Sequence, residues 1–210
     1  MRTTPEKVRA HVRALHRSSR PIDDEEIDAL LGIRSRESKI DPIELIVEHG
    51  PGLIDRYDGT PYETVREALH RLAPRRGDVL YDLGCGYGRV VLWGALVSGA
   101  RFRGIELVPQ RLRPAMRAKA RLGLDNLELH QGNVLSSRFD DGNLFFLFDP
   151  FFDDVLRRVG RSLARIARDH PIRIASLWIH DYFRRRRWLR EIRDAHSNGD
   201  PYALRLFASQ

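Results

Sequence analysis

At 210 residues, the chain is long enough to bury a substantial core, and its length predicts a single domain. Its hydrophobic content of 42% is ordinary for a globular protein, and no apolar run approaches the ~18 residues that a membrane-spanning helix needs. The first residues lack the apolar segment of a secretory signal, and Cys85 is the only cysteine. We therefore expect no intrachain disulfide, no membrane partner and a cytoplasmic location.

The charge balance raises the question of a nucleic-acid partner, since the formal net charge is +7 and the pI is near 10.0. Only Lys7, Lys39 and Lys119 are lysines, so 36 − 3 leaves 33 arginines. Such a bias is also typical of a GC-rich coding background, where arginine fills ordinary surface positions. Charge alone favours an ordinary surface over a nucleic-acid interface. The cysteine and histidine spacing predicts no metal site.

Residues 1–58 predict a helical N-terminal extension. Thr4 and Pro5 predict the start of a first helix, with apolar residues at helical spacing: Val8, Val12 and Leu15. A second short helix opens near Asp23 and closes at Gly32, and Asp41-Pro42 predicts a third. The extension shows no catalytic constellation. A packing arm is therefore favoured over a cover for the active site or a substrate surface.

A further helix is predicted within residues 59–76, starting at Thr60-Pro61. Its buried face consists of four residues at helical spacing: Val65, Ala68, Leu69 and Leu72. Because this helix leads into the next strand, we expect Thr60 and Tyr62 to lie close to the loop after that strand. A capping role alone also explains Thr60, and a place in the core also explains Tyr62.

Residues 79–91 (VLYDLGCGYGRVV) predict a strand that turns sharply into a helix. The apolar run ends at Asp82, and three glycines follow at every second position: Gly84, Gly86 and Gly88. We call residues 84–88 the glycine loop. Glycine permits positive φ and lets a ligand approach the backbone. The helix start offers N–H groups and a positive dipole end to an anionic group.

A second strand is predicted over residues 100–107, with Glu106 near its end and 22 residues after Gly84. In parallel nucleotide-binding sheets, a carboxylate about 20 residues past the glycine turn holds ribose hydroxyls, since it can accept two hydrogen bonds. Residues 109–122 predict a helix with apolar residues four apart: Leu112, Met116 and Ala120. A third strand begins at residues 127–129, and Asn133 follows it.

The second half of the chain continues the alternation. Residues 144–148 (LFFLF) predict a strand buried on both faces, which ends at Asp149-Pro150-Phe151-Phe152. A helix with apolar positions from Val155 to Ile166 leads to a fifth strand over residues 172–179. Residues 188–195 and 202–208 predict a closing strand pair.

Alternating strands and helices followed by a strand pair predict an α/β fold. We expect a Rossmann-like parallel sheet with a C-terminal antiparallel strand pair, formed by residues 59–210 after the N-terminal helical extension. Ligands of such sheets bind outside the carboxyl ends of the strands. Five features fall at those ends: Asp82, the glycine loop, Glu106, Asn133 and Asp149.

The glycine spacing separates two cofactor classes. The dinucleotide fingerprint is G-x-G-x-x-G, whereas this loop reads G-x-G-x-G, with Arg89 where the last fingerprint glycine would stand. Together with Asp82, the pattern resembles the class I S-adenosylmethionine-dependent methyltransferases, over roughly residues 60–208. The resemblance implies an enzyme that uses S-adenosyl-L-methionine and releases S-adenosyl-L-homocysteine.

The same resemblance implies roles for single residues. In that family the D-x-G-x-G-x-G loop cradles the methionyl part of the cofactor, and an acidic residue after the second strand holds the ribose. A residue after the third strand, usually aspartate, contacts the adenine amino group. Carried over, these roles fall on Asp82 and the glycine loop, on Glu106 and on Asn133. Five further residues complete the predicted cofactor site: Thr60, Tyr62, Cys85, Leu107 and Asp149. For Cys85, filling a small position is favoured over a nucleophilic role.

The stretch at residues 149–152 resembles the [D/N]-P-P-[F/Y] motif of amino-directed methyltransferases, although it has one proline where the motif has two. There the polar side chain orients a target nitrogen and the aromatic ring packs on the substrate. We therefore predict three catalytic residues: Asp149, Phe151 and Phe152. Core packing is the alternative for both phenylalanines. The residues after the fifth strand are reserve candidates: His180, Asp181 and Tyr182.

The sequence thus predicts a methyltransferase acting on a nitrogen of a protein or small molecule. The overall layout also faintly resembles non-SET lysine methyltransferases and small prokaryotic relatives. An RNA or DNA methyltransferase is the alternative, as is a non-catalytic module that docks nucleic acid through a basic face. The glycine spacing disfavours an NAD-dependent enzyme. The arginine run at residues 184–187 would suit phosphate or an acidic peptide, or form a solvated edge. The acceptor and the oligomeric state stay open.

Overall fold

The computed structural model describes residues 4–34, 58–149, 151, 153–193 and 203–210. The helix expected at Asp41-Pro42 and the predicted catalytic residue Phe152 lie outside these ranges. Within them, no helix is both long and apolar enough to cross a membrane.

A seven-stranded sheet forms the centre of the described structure. Its strands are β1 (Val79–Leu83), β2 (Arg101–Glu106), β3 (Leu127–Gln131), β4 (Leu144–Phe148), β5 (Arg173–Leu177), β6 (Leu189–Ile192) and β7 (Arg205–Ser209). The strand order is β3-β2-β1-β4-β5-β7-β6. The first five strands pair in parallel, and β7 lies antiparallel between β5 and β6. The predicted Rossmann-like α/β fold with a C-terminal antiparallel pair is confirmed.

Seven helices surround the sheet in the described ranges. They are α1 (Pro5–His16), α2 (Asp24–Leu31), α3 (Tyr62–Leu72), α4 (Arg89–Val97), α5 (Pro109–Leu122), α6 (Asp153–Asp169) and α7 (His180–Arg184). Each crossover between parallel strands carries its chain back over the sheet, so the carboxyl ends of β1 to β5 meet at one edge.

The two N-terminal helices pack into the main core, as the packing-arm interpretation expects. Val8 and Val12 of α1 and Ile27 and Leu31 of α2 are buried in the cluster that also holds α3 and α4. Thr4 and Asp23 cap these helices through their side chains, as predicted, and Gly32 ends α2 in a left-handed conformation. The described part of the extension therefore shares its hydrophobic core with the sheet.

The buried face of α5 differs from the expected one. Met116 is 50% exposed and Ala120 is also exposed, whereas the buried apolar face consists of Leu112, Pro114, Ala115, Ala118 and Leu122. A step of four residues advances about 40° too far around a helix of 3.6 residues per turn, so two such steps leave the buried stripe.

Two predicted boundaries are also corrected. The helix α3 begins at Tyr62 with Pro61 at its N-cap, so Thr60 is not the capping residue. The fifth strand ends at Leu177 and not at residue 179, because Trp178 adopts a left-handed φ of 62°. The short helix α7, which follows at once, was not predicted.

Candidate active site

The glycine loop makes the sharp turn from β1 into α4. Its glycines have left-handed φ values of 90°, 52° and 78°, a region that residues with a Cβ rarely adopt. The N–H groups of Gly84 and Cys85 both donate to the Ile105 carbonyl, at 2.9 and 3.0 Å. The loop is therefore tied to β2, and the amino end of α4 lies at the carboxyl edge of the sheet.

Glu106 fastens the glycine loop from the neighbouring strand. Its Oε2 accepts a hydrogen bond of 2.8 Å from the Gly86 N–H, and its Oε1 accepts one of 2.8 Å from the Val108 N–H. The side chain is only 6% exposed, and burial raises its pKa. A single carboxylate thus joins the loop after β1 to the start of α5. Leu107, beside it, is half-buried.

Asp82 lies in β1 with its carboxyl group 4% exposed. None of the described residues donates a hydrogen bond to this carboxyl group. Burial, assisted by the nearby charge of Glu106, raises the pKa of Asp82 to about 8. Buried acceptors in proteins are almost always paired, since leaving one unpaired costs free energy. The arrangement fits a ligand that brings a positively charged donor.

Cys85 fills the space above a glycine of the next strand. A methyl group at Gly104 would lie 2.6 Å from the Cys85 sulfur atom, so the strand is open there only because it carries no side chain. The thiol is buried, and burial together with the charge of Asp82 raises its pKa well above the ordinary value. This placement fits the space-filling role and not a nucleophile, which must be a thiolate.

Two of the predicted cofactor residues face the N-terminal helices. Tyr62 is fully buried, and its hydroxyl donates to Asp28 Oδ1 at 2.9 Å. Thr60 is buried too, and its carbonyl accepts from Arg89 Nη1 at 3.1 Å. The Tyr62 ring has no exposed surface to offer a ligand, so its place in the core is the interpretation that the structure supports.

Arg89, the first residue of α4, is a positioning residue that the sequence did not reveal. Its Nε and Nη2 donate to the two carboxylate oxygens of Asp28, at 3.0 and 2.6 Å, and its Nη1 donates to Asp24 at 2.9 Å. The guanidinium carbon lies 5.1 Å from the centre of the Tyr62 ring. Helix α2 therefore holds the residue that directly follows the glycine loop.

Asn133 lies at the exposed turn after β3. Its Oδ1 accepts from the Leu135 N–H at 2.9 Å, and the preceding residue, Gly132, donates to the Glu106 carbonyl at 2.9 Å. Asn133 is thus next to the end of β2. Its role at the adenine amino group stays a prediction.

The ends of β4 and β5 form the other half of the edge. Asp149 is half-buried with a left-handed φ of 35°, and burial, with a further contribution from the charge of Asp58, raises its pKa. Trp178 follows β5 and is 43% exposed. Phe151 is half-buried and packs against the core cluster beneath α6, as the core-packing alternative expects, and its catalytic role stays a prediction.

The reserve candidates and the arginine run are largely engaged with the protein itself. His180 is buried, and burial followed by the charge of Arg184 lowers its pKa. Asp181 pairs with Arg184 at 2.8 Å, and Arg184 also pairs with Glu191. The Arg186 guanidinium stacks 4.1 Å from the ring of Tyr182. Two of the four arginines in the run therefore stabilise the region around α7. In the described part of the chain, no cluster of three potential ligands could hold a metal ion.

Comparison with known proteins supports the same cofactor class. A family described as precorrin methyltransferase domain matches residues 60–141. No curated protein matches the chain. A methyltransferase from Geobacter sulfurreducens is similar in structure, with a TM-score of 0.53 and 22% identity over 90% of this chain and 98% of that one.

Two further solved structures share the fold. An RNA methyltransferase from Salinibacter ruber, in complex with S-adenosyl-L-homocysteine, has a TM-score of 0.50 and 22% identity over 72% of this chain and 92% of that one. Precorrin-6y C5,15-methyltransferase from Geobacter metallireducens has a TM-score of 0.51 and 14% identity over 72% and 89%. At such identities, the likeness shows the fold alone.

The strand order, the glycine loop and the family match together make the chain a class I S-adenosylmethionine-dependent methyltransferase. The matched segment covers residues 60–141 and so contains β1, β2 and β3 with all the predicted cofactor residues except Asp149. It ends before Asp149 and Trp178. The match therefore supports the enzyme class and leaves the methyl acceptor to be argued from the second half of the chain.

Proposed function

We propose that this enzyme transfers a methyl group from S-adenosyl-L-methionine to an amine nitrogen of a protein or small molecule. The observation that carries the cofactor half is the buried Asp82 carboxyl group, to which no described residue donates, beside the carboxylate of Glu106. When bound, the cofactor supplies an electrophilic methyl group: as the acceptor's lone pair bonds to that carbon, the carbon–sulfur bond breaks and its electrons remain on sulfur.

In this proposal, each residue at the sheet edge binds a different part of the cofactor. Asp82 pairs with the ammonium group, and the amino end of α4 favours the neighbouring carboxylate. Glu106 accepts from the ribose hydroxyls, beside Leu107, and Asn133 contacts the adenine amino group. Cys85 contributes its backbone and the tight contact with β2. Thr60 and Tyr62 act indirectly, through Arg89.

Asp149 is the residue that we propose to orient the acceptor nitrogen. It lies half-buried at the end of β4, in the strand beside the one that carries Asp82. A nitrogen must be neutral to attack, so its proton needs an acceptor. The raised pKa of Asp149 brings its carboxylate closer to the basicity that this task requires.

Titration calorimetry with S-adenosyl-L-methionine tests the cofactor half. We expect Glu106→Gln to weaken binding by about 10- to 100-fold, since a lost hydrogen bond to a charged group is worth about 1.5–3 kcal/mol. The matched control is Glu128→Gln, because Glu128 is an exposed carboxylate on β3 that pairs with Arg103. The affinity of Glu128→Gln for S-adenosyl-L-methionine should equal that of the wild type.

Absence of binding by the wild-type protein would refute the proposal at its root. Equal affinities for Glu106→Gln and the wild type would remove Glu106 from the cofactor site. Transfer of a labelled methyl group to separated protein, RNA and small-molecule fractions of a lysate then assigns the acceptor class.

A nucleic-acid acceptor is the second candidate, supported by the net charge of +7 and by the RNA methyltransferase from Salinibacter ruber among the similar structures. Its test is binding to an RNA oligonucleotide as a function of salt concentration. An affinity that falls steeply with added salt, together with transfer of label to the RNA, would favour this candidate over the amine acceptor.

A further inference from the structure

Two neighbouring strands end in the same unusual backbone conformation. Three non-glycine residues in the described ranges have left-handed φ values, and two of them are Asp149 after β4 and Trp178 after β5. Phe148 pairs with Leu177 in the parallel register, so Asp149 and Trp178 occupy matching positions just beyond the sheet. Bulky residues adopt this conformation at a cost of about 1–3 kcal/mol, and such residues cluster where ligands bind.

The Trp178 side chain is held by an aromatic neighbour while a large part of it faces solvent. Its ring centre lies 4.8 Å from that of Phe148, with the two planes at 84°. Trp178 is nevertheless 43% exposed, and together with Met116 it is one of two exposed large hydrophobic residues in the described part of the chain. Met116 lies on α5, whereas Trp178 lies at the carboxyl edge of the sheet, beside the proposed site of methyl transfer.

A carboxyl group lies beside this ring, because Asp149 occupies the matching position on the neighbouring strand. Burial and then the charge of Asp58 raise the pKa of that carboxyl group. An indole face attracts cations through its π electrons, and a nearby carboxylate adds to that attraction. The same carboxylate repels phosphate groups. An aromatic face beside a carboxylate therefore suits an ammonium ion better than a nucleotide.

We propose that Trp178 and Asp149 form the receptor for the acceptor and that the acceptor is an aliphatic primary amine, which enters as its ammonium ion. This inference rests on the proposed function and names its substrate class. The indole holds the ammonium group and its alkyl stem. One N–H proton passes to the Asp149 carboxylate, which leaves a neutral carboxylic acid and a neutral amine with a lone pair for the methyl carbon.

Binding to the protein loaded with S-adenosyl-L-homocysteine tests the receptor without turnover. The probes are spermidine, a peptide with blocked termini that contains one lysine, the same peptide with that lysine acetylated, and an RNA oligonucleotide. We expect at least one of the two amine probes to bind and the acetylated peptide not to bind. Comparing spermidine with the lysine peptide distinguishes a small-molecule amine from a protein side chain. Labelled methyl transfer to the same probes provides the second readout.

Variants at Trp178 connect the binding to the indole. Trp178→Gly should weaken the amine probe by about tenfold, and Trp178→Phe by less, because a smaller ring keeps part of the π surface. Glycine adopts the left-handed conformation without strain, which offsets part of the packing lost against Phe148, so thermal unfolding of Trp178→Gly should still show a single cooperative transition. Met116→Ala is the control for removing an exposed apolar side chain, and it should bind as the wild type does.

Three outcomes would overturn the inference: no binding and no methylation of the amine probes, equal affinity in Trp178→Gly, or methylation of the RNA alone. Titration of the same preparations with S-adenosyl-L-methionine distinguishes the two levels of failure. If the cofactor binds and the amines do not, the receptor is wrong and the cofactor site stands. If the cofactor does not bind, the proposed function itself fails.

Discussion

Asp82 is mostly protonated at neutral pH, because its pKa is raised to about 8. Pairing with an ammonium group favours the carboxylate and lowers that pKa again. The complex then holds fewer protons than the free protein at pH values below about 8. By linkage, the affinity for the cofactor rises as pH increases towards neutrality.

We therefore expect binding of S-adenosyl-L-methionine near pH 7 to release about one proton, since an α-amino group with a pKa of about 7.7–8.0 is already largely protonated there. Calorimetry in two buffers with different ionisation enthalpies measures the release. Asp82→Asn, which keeps the shape and cannot ionise, should bind more weakly and release no proton. Identical apparent enthalpies in the two buffers for the wild type would show that Asp82 does not pair with the ammonium group.

At the scale of single residues, spacing predicted the groups that lie beside the loop in sequence or at the next strand end. Asp82, the three loop glycines and Glu106 follow from a local pattern with a fixed geometric reason. Trp178 does not, because a left-handed turn without glycine or asparagine leaves no signal. The residues around it, SLWI, have the composition of a continuing strand.

Helix α2 acts on the site through Arg89. The Arg89 side chain is 13% exposed and that of Asp28 is 10%, so this ion pair is shielded from solvent, with two parallel hydrogen bonds. Asp24 contributes twice, accepting from the Arg89 side chain and from the Tyr62 N–H at 2.9 Å. One helix therefore fixes the amino ends of both α3 and α4.

Arg89→Lys should lower the free energy of unfolding by about 1–3 kcal/mol, because an ammonium group keeps the charge but cannot form the paired hydrogen bonds. Chemical denaturation measures the loss. Arg157→Lys is the matched control, since Arg157 pairs with Asp154 on the exposed surface of α6, and its effect should stay below about 0.5 kcal/mol. A similar loss in both variants would mean that the ion pair between Arg89 and α2 contributes no more to the free energy of unfolding than an exposed ion pair does.

Most of the helices and strands were predictable from the sequence, whereas the contacts between them were not. The apolar periods predicted α1, α2, α5 and α6 and each of the parallel strands. The link between Asp28 and Arg89 spans 61 residues, and nothing in a local pattern encodes such a distance. The Met116 error has a local origin instead, since successive steps of four residues leave the buried stripe of a helix with 3.6 residues per turn.

One of the two hydrophobic core clusters in the described structure runs without interruption from the N-terminal helices to the sheet. Leu31 of α2 is completely buried in the same cluster as Trp93 of α4 and Phe146 of β4. Arg13 of α1 donates to the Leu96 carbonyl of α4 at 2.8 Å, which adds a polar link to the apolar one. Loss of packing in α2 should consequently lower the stability of the whole protein.

Leu31→Ala should lower the stability of the whole protein by about 2–5 kcal/mol, the usual cost of such a cavity. Circular dichroism and intrinsic fluorescence should report the same lowered transition. Met116→Ala, at an exposed position, should change stability by less than about 0.5 kcal/mol. A separate early transition in Leu31→Ala, with the main one unchanged, would show that the extension unfolds independently.

The contact between Cys85 and Gly104 also makes the Cys85 thiol a reporter of opening of the glycine loop. The chain has one thiol, and that thiol is sealed between the glycine loop and β2. An alkylating reagent reaches the sulfur only in molecules whose loop has lifted from the strand, because the buried thiol is both covered and protonated. When the reagent reacts faster than the loop closes again, the rate of labelling at Cys85 is the rate at which the glycine loop opens, read at a single sulfur atom.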